Sequence, residues 1–548
     1  MKKRFWVLWM VCIMIIGSLA GCSDAGEGQE SSQGTESSAQ GSQAEESSQG
    51  AAVEVVNGLS TVFPLEESMT TDMFAYQKTG TDLTKNLAWT TMEELTNMHW
   101  DLTLASDGDL DEKRSLEFAG GEYKSVFYKS GISEADAMKY AKDEIVIPLN
   151  DLIDQYMPNF KALMDERDGW KYITSSDGNI YSLPQVNDDG CGMMLFINQV
   201  WLDKLGLEMP KTFDEYIEVL RAFKEKDPNG NGEADEIPLY LANGALSQLL
   251  PYYGIGFDGN TNATYNGEQM EYYPTSEKYK EFLKMARGLS EEGLINNYVL
   301  GTWDEQAALG TTQDVLGSLL QWGAYLSVGA EKDEDWPTVV PFENTMVPYL
   351  GIQFGGLVLT DKCEHPELIL QWADYFYSTE GSDLGWLGVD GESYQRNDDG
   401  TYTWLTDGAW GADMAEIRDN ATLFGDKPWP GLSSKFFDEG QTNPEEKYLY
   451  GQREIVKEHF TERFPKLSYT EDELKRKATY EADINPYISQ YEAQVISGEV
   501  DLDSTWDEYV ATLNNMGLQD LISINQAAVS LFGAGWGWIC GRITFYIS

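Results

Sequence analysis

Oxygen-bearing side chains recur at alternate positions in residues 227–236, which read Asp-Pro-Asn-Gly-Asn-Gly-Glu-Ala-Asp-Glu. With glycine at the sixth position, this spacing matches the first half of an EF-hand loop, in which a tight turn wraps hard oxygen ligands around Ca²⁺. The expected ligands are the side chains of Asp227, Asn229, Asn231, Asp235 and Glu236 and the backbone carbonyl of Glu233. Pro238 stands where an EF-hand supplies its bidentate glutamate, so we expect structural Ca²⁺ rather than a sensor. The alternative is a solvated polar turn without metal.

Motifs of common enzyme classes are missing from the sequence. The three histidines lie far apart, and no H-E-x-x-H, G-x-S-x-G or Walker pattern occurs. Residues 254–259 satisfy G-x-G-x-x-G, but turn-forming residues follow, whereas a dinucleotide site needs a helix there. With 91 acidic residues, a carboxylate pair suited to glycoside hydrolysis remains open as an alternative.

The elements that would position these residues alternate between short apolar strands and amphipathic helices, which is typical of α/β layers. Thr212 and Glu215 predict a capping box that begins a helix just before the calcium loop. Pro366 predicts the start of a second helix, and a third is expected from about Ser504 to Gly517. Strands are predicted over Glu144–Leu149, Met193–Ile197, Val339–Phe342 and Ile352–Leu359.

Charge and cysteine content argue against a nucleic-acid-binding protein and against a disulfide-stabilised fold. The formal net charge of -53 would repel phosphate backbones, so nucleic-acid binding is not expected. Outside the N-terminal segment the cysteines are Cys191, Cys363 and Cys540, an odd and scattered set that argues against a disulfide framework.

The N-terminus has the pattern of an export signal. A basic start is followed by an apolar run that ends in Leu-Ala-Gly-Cys at residues 19–22, which resembles the bacterial lipobox. We therefore expect a signal peptide over residues 1–21 and lipidation of the Cys22 thiol, which would anchor the protein to the outer face of the cell membrane. Residues 22–52 then supply the lipidated cysteine and a disordered linker of Ser, Gly, Gln and Glu. The alternative is an uncleaved membrane anchor.

Several short motifs are spread along the chain: GNIYSLP at 178–184, LFIN at 195–198, WLDKLGL at 201–207, PKTFDE at 210–215, FKEKDPNGNG at 223–232, DEIP at 235–238, HPE at 365–367, LSYTE at 467–471 and WDEY at 506–509. Together these motifs resemble family 1 extracellular solute-binding proteins, which are components of carbohydrate importers. The pattern covers roughly residues 53–528 and is most similar to large lipoproteins related to alginate-oligosaccharide binders.

The resemblance implies a type II periplasmic-binding fold, α/β in class, with two lobes and a ligand cleft. Lobe one would take residues 53–190 and about 350–385, and lobe two 191–349 and about 386–528. The implied function is capture of an oligosaccharide by a monomeric, non-enzymatic protein and its delivery to ABC permease subunits that use a cytoplasmic ATPase. The resemblance also assigns the same ligand roles to the calcium loop.

On this reading, flat rings would stack on the apolar faces of sugar rings, and amides and carboxylates would bind hydroxyls. The candidate ligand-binding residues are Gln185, Asn187, Asp188, Asp189, Trp322, Trp386 and Tyr394. Weaker candidates are Trp303, Trp404, Trp410 and Trp429. For each aromatic residue, packing in the core is the alternative.

Two other functions stay open from the sequence: a surface glycosidase or lyase, and a carbohydrate-binding lipoprotein that works without a transporter. The tail over residues 529–548 departs from the family pattern, and its apolar part is shorter than a spanning helix needs. We interpret it as a recent alteration, such as a shifted reading frame, and expect it to pack poorly.

Overall fold

The computed structural model describes residues 53–529, apart from 188–189, 257–258, 260, 268, 349–350, 399, 426, 434–443 and 462–464. The predicted signal peptide, Cys22, the linker up to residue 52 and the tail from residue 530 lie outside the described residues, as do the candidates Asp188 and Asp189. The strands are β1 (Val55–Val56), β2 (Leu59–Ser60), β3 (Met69–Tyr76), β4 (Met98–Ala105), β5 (Val126–Tyr128), β6 (Leu183–Val186), β7 (Met194–Ile197), β8 (Ala263–Tyr265), β9 (Met270–Tyr272), β10 (Ser318–Gln321), β11 (Thr338–Val339), β12 (Ile352–Leu359), β13 (Tyr394–Arg396), β14 (Tyr402–Trp404) and β15 (Gly431–Leu432).

Helices connect most of these strands. The α-helices span Leu87–Thr96, Leu110–Gly120, Glu134–Lys142, Asn150–Tyr156, Pro158–Glu166, Trp170–Ile173, Gln199–Leu205, Phe213–Glu225, Glu277–Glu291, Trp303–Thr312, Tyr325–Val328, Pro366–Asp374, Thr379–Leu387, Met414–Ala421, Pro444–Lys457, Glu471–Ile496 and Leu502–Asn515, and residues 518–529 are also helical. Among the residues described, each helix is too short or too polar to cross a membrane.

The larger sheet has six strands in the order β15-β6-β12-β5-β3-β4. β3 runs parallel to β4 and β5, and β12 is antiparallel to both β5 and β6. The end of β3 and all of β5 and β6 are buried, as expected for strands covered on both faces. Because β3, β5 and β6 point the same way, their carboxyl ends lie on one edge of the sheet, which we call the first-lobe edge.

The smaller sheet has the order β10-β7-β11, and both outer strands are antiparallel to β7. Gln321 pairs with Met194, so the end of β10 lies beside the start of β7. We call this side of the smaller sheet the second-lobe edge. The chain enters β7 directly from β6 through residues 187–193, so the two edges adjoin the same connection.

Separate apolar clusters surround the two sheets. Trp89, Tyr128 and Trp372 belong to the cluster at the larger sheet, and Trp201 belongs to the one at the smaller sheet. The predicted division places residues 386–433 in lobe two, whereas Trp429 packs in the cluster of the larger sheet and β15 is a strand of that sheet. The structure therefore groups this segment with lobe one.

Most of the predicted elements are present. Thr212 caps the helix Phe213–Glu225 by accepting a hydrogen bond from the Glu215 N–H at 3.1 Å, and the Glu215 carboxylate accepts from the Lys211 N–H at 2.8 Å. The strand predicted over Glu144–Leu149 is wrong. Glu144 has φ of +58°, which interrupts the extended run. In place of a strand, Val146 forms an isolated β-bridge with Thr360.

The helix Glu471–Ile496 connects the two lobes. At its start, the Glu471 carboxylate lies 2.9 Å from Lys142 Nζ, and Lys466 Nζ lies 2.9 Å from the Glu134 carboxylate, both partners being on a helix of lobe one. Further along, Ile484, Ile488, Tyr491, Val495 and Ile496 pack in the cluster of the smaller sheet. This one helix therefore contacts both lobes.

Candidate ligand-binding cleft and metal loop

Gln185 lies at the first-lobe edge, in β6, and both ends of its amide are hydrogen-bonded within the protein. Its Oε1 accepts a hydrogen bond from the Trp429 N–H at 3.3 Å, and its Nε2 donates to Asn187 Oδ1 at 3.0 Å. The side chain is buried. Gln185 therefore holds the backbone before β15 against the end of β6.

Asn187 is the point where three segments that run between the lobes meet. Its N–H donates to the Gly351 carbonyl at 2.5 Å, just before β12 begins, and its side chain contacts Ser433, just after β15 ends. The Asn187 carbonyl accepts from Arg167 Nη1 at 2.9 Å. The structure thus brings Gln185 and Asn187 together at the base of the connection between the lobes. Their hydrogen bonds hold the end of β6 to the start of β12 and to the residues that flank β15.

Trp322 lies at the second-lobe edge, directly after β10. Its side chain is 42% exposed, an unusual state for tryptophan. The Trp322 N–H donates to Gln321 Oε1 at 3.0 Å, and Gln321 Nε2 donates to Ser327 Oγ at 3.1 Å, so a buried amide fixes the backbone that carries the ring. An exposed indole on a fixed backbone is suited to stacking on an apolar ligand face.

Trp386 and Tyr394 are placed differently from the prediction. Their side chains are 6% and 4% exposed and pack with Leu87, Tyr402 and Ile417 in an apolar cluster. Because both side chains are buried, we do not include them in the proposed site. Of the weaker candidates, Trp404 and Trp429 are buried, and Trp303 and Trp410 are partly buried against apolar clusters.

A small pocket of about 40 Å³ opens at the first-lobe edge, outside the predicted set of residues. Its lining includes Tyr76 and Tyr128, the last residues of β3 and β5, together with Lys129, Asp419 and Phe424. The signal in the sequence is the same at both strands, since each ends in tyrosine and a lysine follows within two residues. That pattern gains meaning only once the two strands are known to be parallel and to share an edge.

The loop predicted to bind calcium, residues 227–236, folds around the Asp227 carboxylate. Asp227 Oδ1 accepts hydrogen bonds from the Gly230 and Asn231 N–H groups at 2.8 and 3.1 Å, and Oδ2 accepts from the Gly232 N–H at 3.1 Å. The φ angles of Gly230 and Gly232, +77° and +79°, allow this tight wrapping. The local conformation therefore has the tight turn that the spacing predicts.

The donor groups of the loop fit a cation. Glu236 Oε1 is buried and has no hydrogen-bond partner among the described residues, and burial followed by the Asp235 and Asp227 charges raises the Glu236 pKa. Asn231 Nδ2 donates to Asp235 at 3.0 Å, and exchanging the two ends of that amide would present oxygen instead. In the described part of the chain, no three Asp, Glu, His or Cys side chains form a metal-binding group by themselves, so the amide and carbonyl oxygens would be needed.

Comparison with known proteins identifies the family. A model of the bacterial extracellular solute-binding protein family matches residues 79–383. The chain belongs to this family. The solute-binding protein is 31% identical over 496 residues to the fructooligosaccharide ABC transporter substrate-binding protein FusA of Streptococcus pneumoniae, covering 85% of this chain and 90% of that protein.

Solved structures agree with this assignment. A structure of an S. pneumoniae FusA EF-hand mutant in complex with fructo-nystose superposes on the solute-binding protein with a TM-score of 0.71 at 28% identity, covering 85% of this chain and 100% of that one. The alginate-binding protein AlgQ2, solved without calcium ion, gives a TM-score of 0.69 at 21% identity, covering 86% and 99%. The predicted two-lobed α/β fold of the type II periplasmic-binding class is confirmed.

Proposed function

We propose that this solute-binding protein captures an oligosaccharide between its two lobes and delivers it to the permease subunits of an ABC importer. The observation that carries the proposal is the exposed Trp322 ring at the second-lobe edge, which adjoins the same connection as the polar first-lobe edge. The likeness to a relative named for fructooligosaccharide transport supports a saccharide as the solute.

The arrangement gives a physical basis for signalling occupancy. A ligand that contacts both edges stabilises the closed arrangement of the lobes more than the open one, so binding shifts the equilibrium between them. Asn187, where three connecting segments meet, is the natural hinge point for that motion. The permease then distinguishes loaded from empty protein by shape.

The test is calorimetry and small-angle scattering of the detergent-solubilised full chain with fructo-nystose, alginate oligosaccharides and peptides. We expect saturable binding of at least one saccharide, a smaller radius of gyration in the complex, and recovery of the intact saccharide afterwards. Cleavage of the saccharide would favour the glycosidase alternative. Binding without any change in the scattering profile would favour a carbohydrate-binding lipoprotein that works without closure.

The loop over residues 227–236 is proposed to hold structural Ca²⁺ through the predicted groups. The partnerless Glu236 oxygen and the clustered negative charge support this, as does the existence of an EF-hand mutant of FusA. Ca²⁺ would neutralise the carboxylates and cross-link the turn. We expect Ca²⁺ to raise Tm of chelator-treated protein and to leave Asp227→Ala unaffected, and an equal rise in both would place the ion elsewhere.

Lipidation of Cys22 is proposed from the sequence alone, with the folded region held at the outer face of the membrane. Processing would leave Cys22 as the first residue, carrying acyl chains that bind the bilayer durably. In a Cys22→Ala variant, we expect the protein to lose its lipid-dependent mass increase and to leave the membrane fraction. Retention of both by that variant would contradict the anchor.

A further inference from the structure

Tyr128, which lines the pocket at the first-lobe edge, carries a buried hydroxyl that the fold does not use. Tyr128 is fully buried, and its ring packs edge-on against Trp89 with centroids 5.4 Å apart. Its Oη has no hydrogen-bond partner among the described residues. A buried hydroxyl without a partner is destabilising. Such a group calls for a partner, which can be a water, an ion or a ligand.

The other polar groups around the pocket are already held in place. Asn86 Nδ2 donates to the Thr422 carbonyl at 2.8 Å, and Lys129 Nζ donates to the Leu423 carbonyl at 2.9 Å. On the outer side, the Asp419 carboxylate lies 2.9 Å from Lys78 Nζ. These bonds tie residues 419–423 to the ends of the strands.

The size of the pocket limits what enters it. The pocket has about 40 Å³ of space open to water, and one water needs about 10–15 Å³ of such space, so it has room for about three waters. A whole sugar ring is too large, whereas one hydroxyl or hydroxymethyl substituent fits. The pocket also lies on the edge that the proposed function gives to the ligand.

We propose that this pocket is a specificity subsite in which Tyr128 Oη hydrogen-bonds one hydroxyl or hydroxymethyl group of the bound saccharide. The inference rests on the proposed function and deepens it. Because the subsite accepts a substituent and not a ring, it binds one polar substituent of a sugar unit. Sugar units with a bulky or apolar substituent at that position are excluded. Trp322 on the other lobe supplies ring stacking, which is indifferent to single hydroxyls.

The test is Tyr128→Phe, which removes the hydroxyl and leaves the ring. With fructo-nystose as the probe, we expect about 3- to 10-fold weaker binding by calorimetry, the range for one lost hydrogen bond, and an unchanged or higher Tm. The matched control is Tyr509→Phe, since Tyr509 is also a buried tyrosine whose hydroxyl has no partner among the described residues, but it lies in the cluster of the smaller sheet. The control is expected to bind like the wild type.

A ligand-side measurement keeps the test decisive if the variant folds poorly. Among monodeoxy analogues of fructo-nystose, one is expected to bind the wild type more weakly and to lose no further affinity on Tyr128→Phe. Equal affinity of wild type and Tyr128→Phe for the parent saccharide, or uniform binding of all analogues to the wild type, would overturn the subsite while leaving capture intact. Failure of the wild type to bind any saccharide would overturn the proposed function itself.

Discussion

The two edges that meet at the connection between the lobes are built in opposite ways. At the first-lobe edge, Gln185, Lys129 and Tyr128 are buried. The polar groups of Gln185 and Lys129 form hydrogen bonds within the protein. At the second-lobe edge, Trp322 stands exposed on a backbone fixed by Gln321. Under the proposed function, Tyr128 at the first edge would bind a polar group of the saccharide, and Trp322 at the second edge would supply apolar contact area.

The lobes also differ in how each holds a buried carboxyl group. Asp374 in lobe one accepts hydrogen bonds from the Phe160 and Asn159 N–H groups, at 2.8 and 3.2 Å. Glu492 in lobe two instead meets the hydroxyls of Tyr279, at 2.9 Å, and Tyr298. Burial raises the pKa of each carboxyl to about 7. Of these two carboxyl groups, Asp374 is the one that accepts from backbone N–H groups among the described residues.

The contrast between buried and exposed tryptophan is tested by Trp429→Ala. Trp429 is fully buried, packs edge-on against Phe376 and lies against Gly385 and Gly431, so truncation leaves a cavity that cannot close. We expect a loss of about 3–5 kcal/mol in the free energy of unfolding of lobe one, measured by urea denaturation. A loss below about 1 kcal/mol, equal to that of Trp322→Ala, would erase the distinction between the two positions.

The contrast between the carboxyl groups is sharpened by Glu492→Gln. Because the Glu492 pKa is about 7 in the folded protein and about 4.3 in unfolded chains, the folded state binds the extra proton between these values. The stabilisation of the folded state by protonated Glu492 is therefore complete below about pH 4.3 and is lost as the pH rises through about 7. We therefore compare the free energy of unfolding of Glu492→Gln with that of wild type by urea denaturation. The difference in favour of the variant should be about 3 kcal/mol larger at pH 8 than at pH 5.

Asp374→Asn is the control for that measurement. An amide cannot accept from both N–H groups as the carboxyl does, so this variant should be less stable than wild type at pH 5 as well as at pH 8. An equal gain at pH 8 in both variants would mean that the two carboxyl groups are held alike.

The smallest effect is expected for the stacking role of Trp322. Trp322→Ala should weaken saccharide binding at least about 5-fold, which corresponds to about 1 kcal/mol, with little change in Tm. Trp386→Ala should do the reverse and lower Tm, since its ring packs 4.1 Å from Phe424 between centroids. Unchanged affinity in Trp322→Ala would remove the indole from the proposed site.

Sequence patterns predict those parts of the structure that are determined by residues close together in the chain. The turn around Asp227 forms because its carboxylate bonds N–H groups three to five residues ahead. The cap at Thr212 spans three residues and was equally visible. The fold class follows from the alternation of strands and helices together with the family motifs.

The binding residues were harder to predict because exposure depends on distant packing. Trp386 lies near polar residues in the chain, yet its cluster includes Leu87 and Ile417, from two other helices. The pocket at the first-lobe edge likewise joins residues 76–86, 128–129 and 419–425. No spacing rule connects such segments before the order of the strands is known.

The helix Glu471–Ile496 has a mechanical consequence for the whole molecule. Its 26 residues correspond to about 39 Å of helix, with Pro486 inside it. An ion pair between Lys142 and Glu471 holds one end, and apolar contacts hold much of the remainder. Because the ion pair is partly exposed to solvent, added salt is expected to weaken that contact and to leave the apolar packing unchanged.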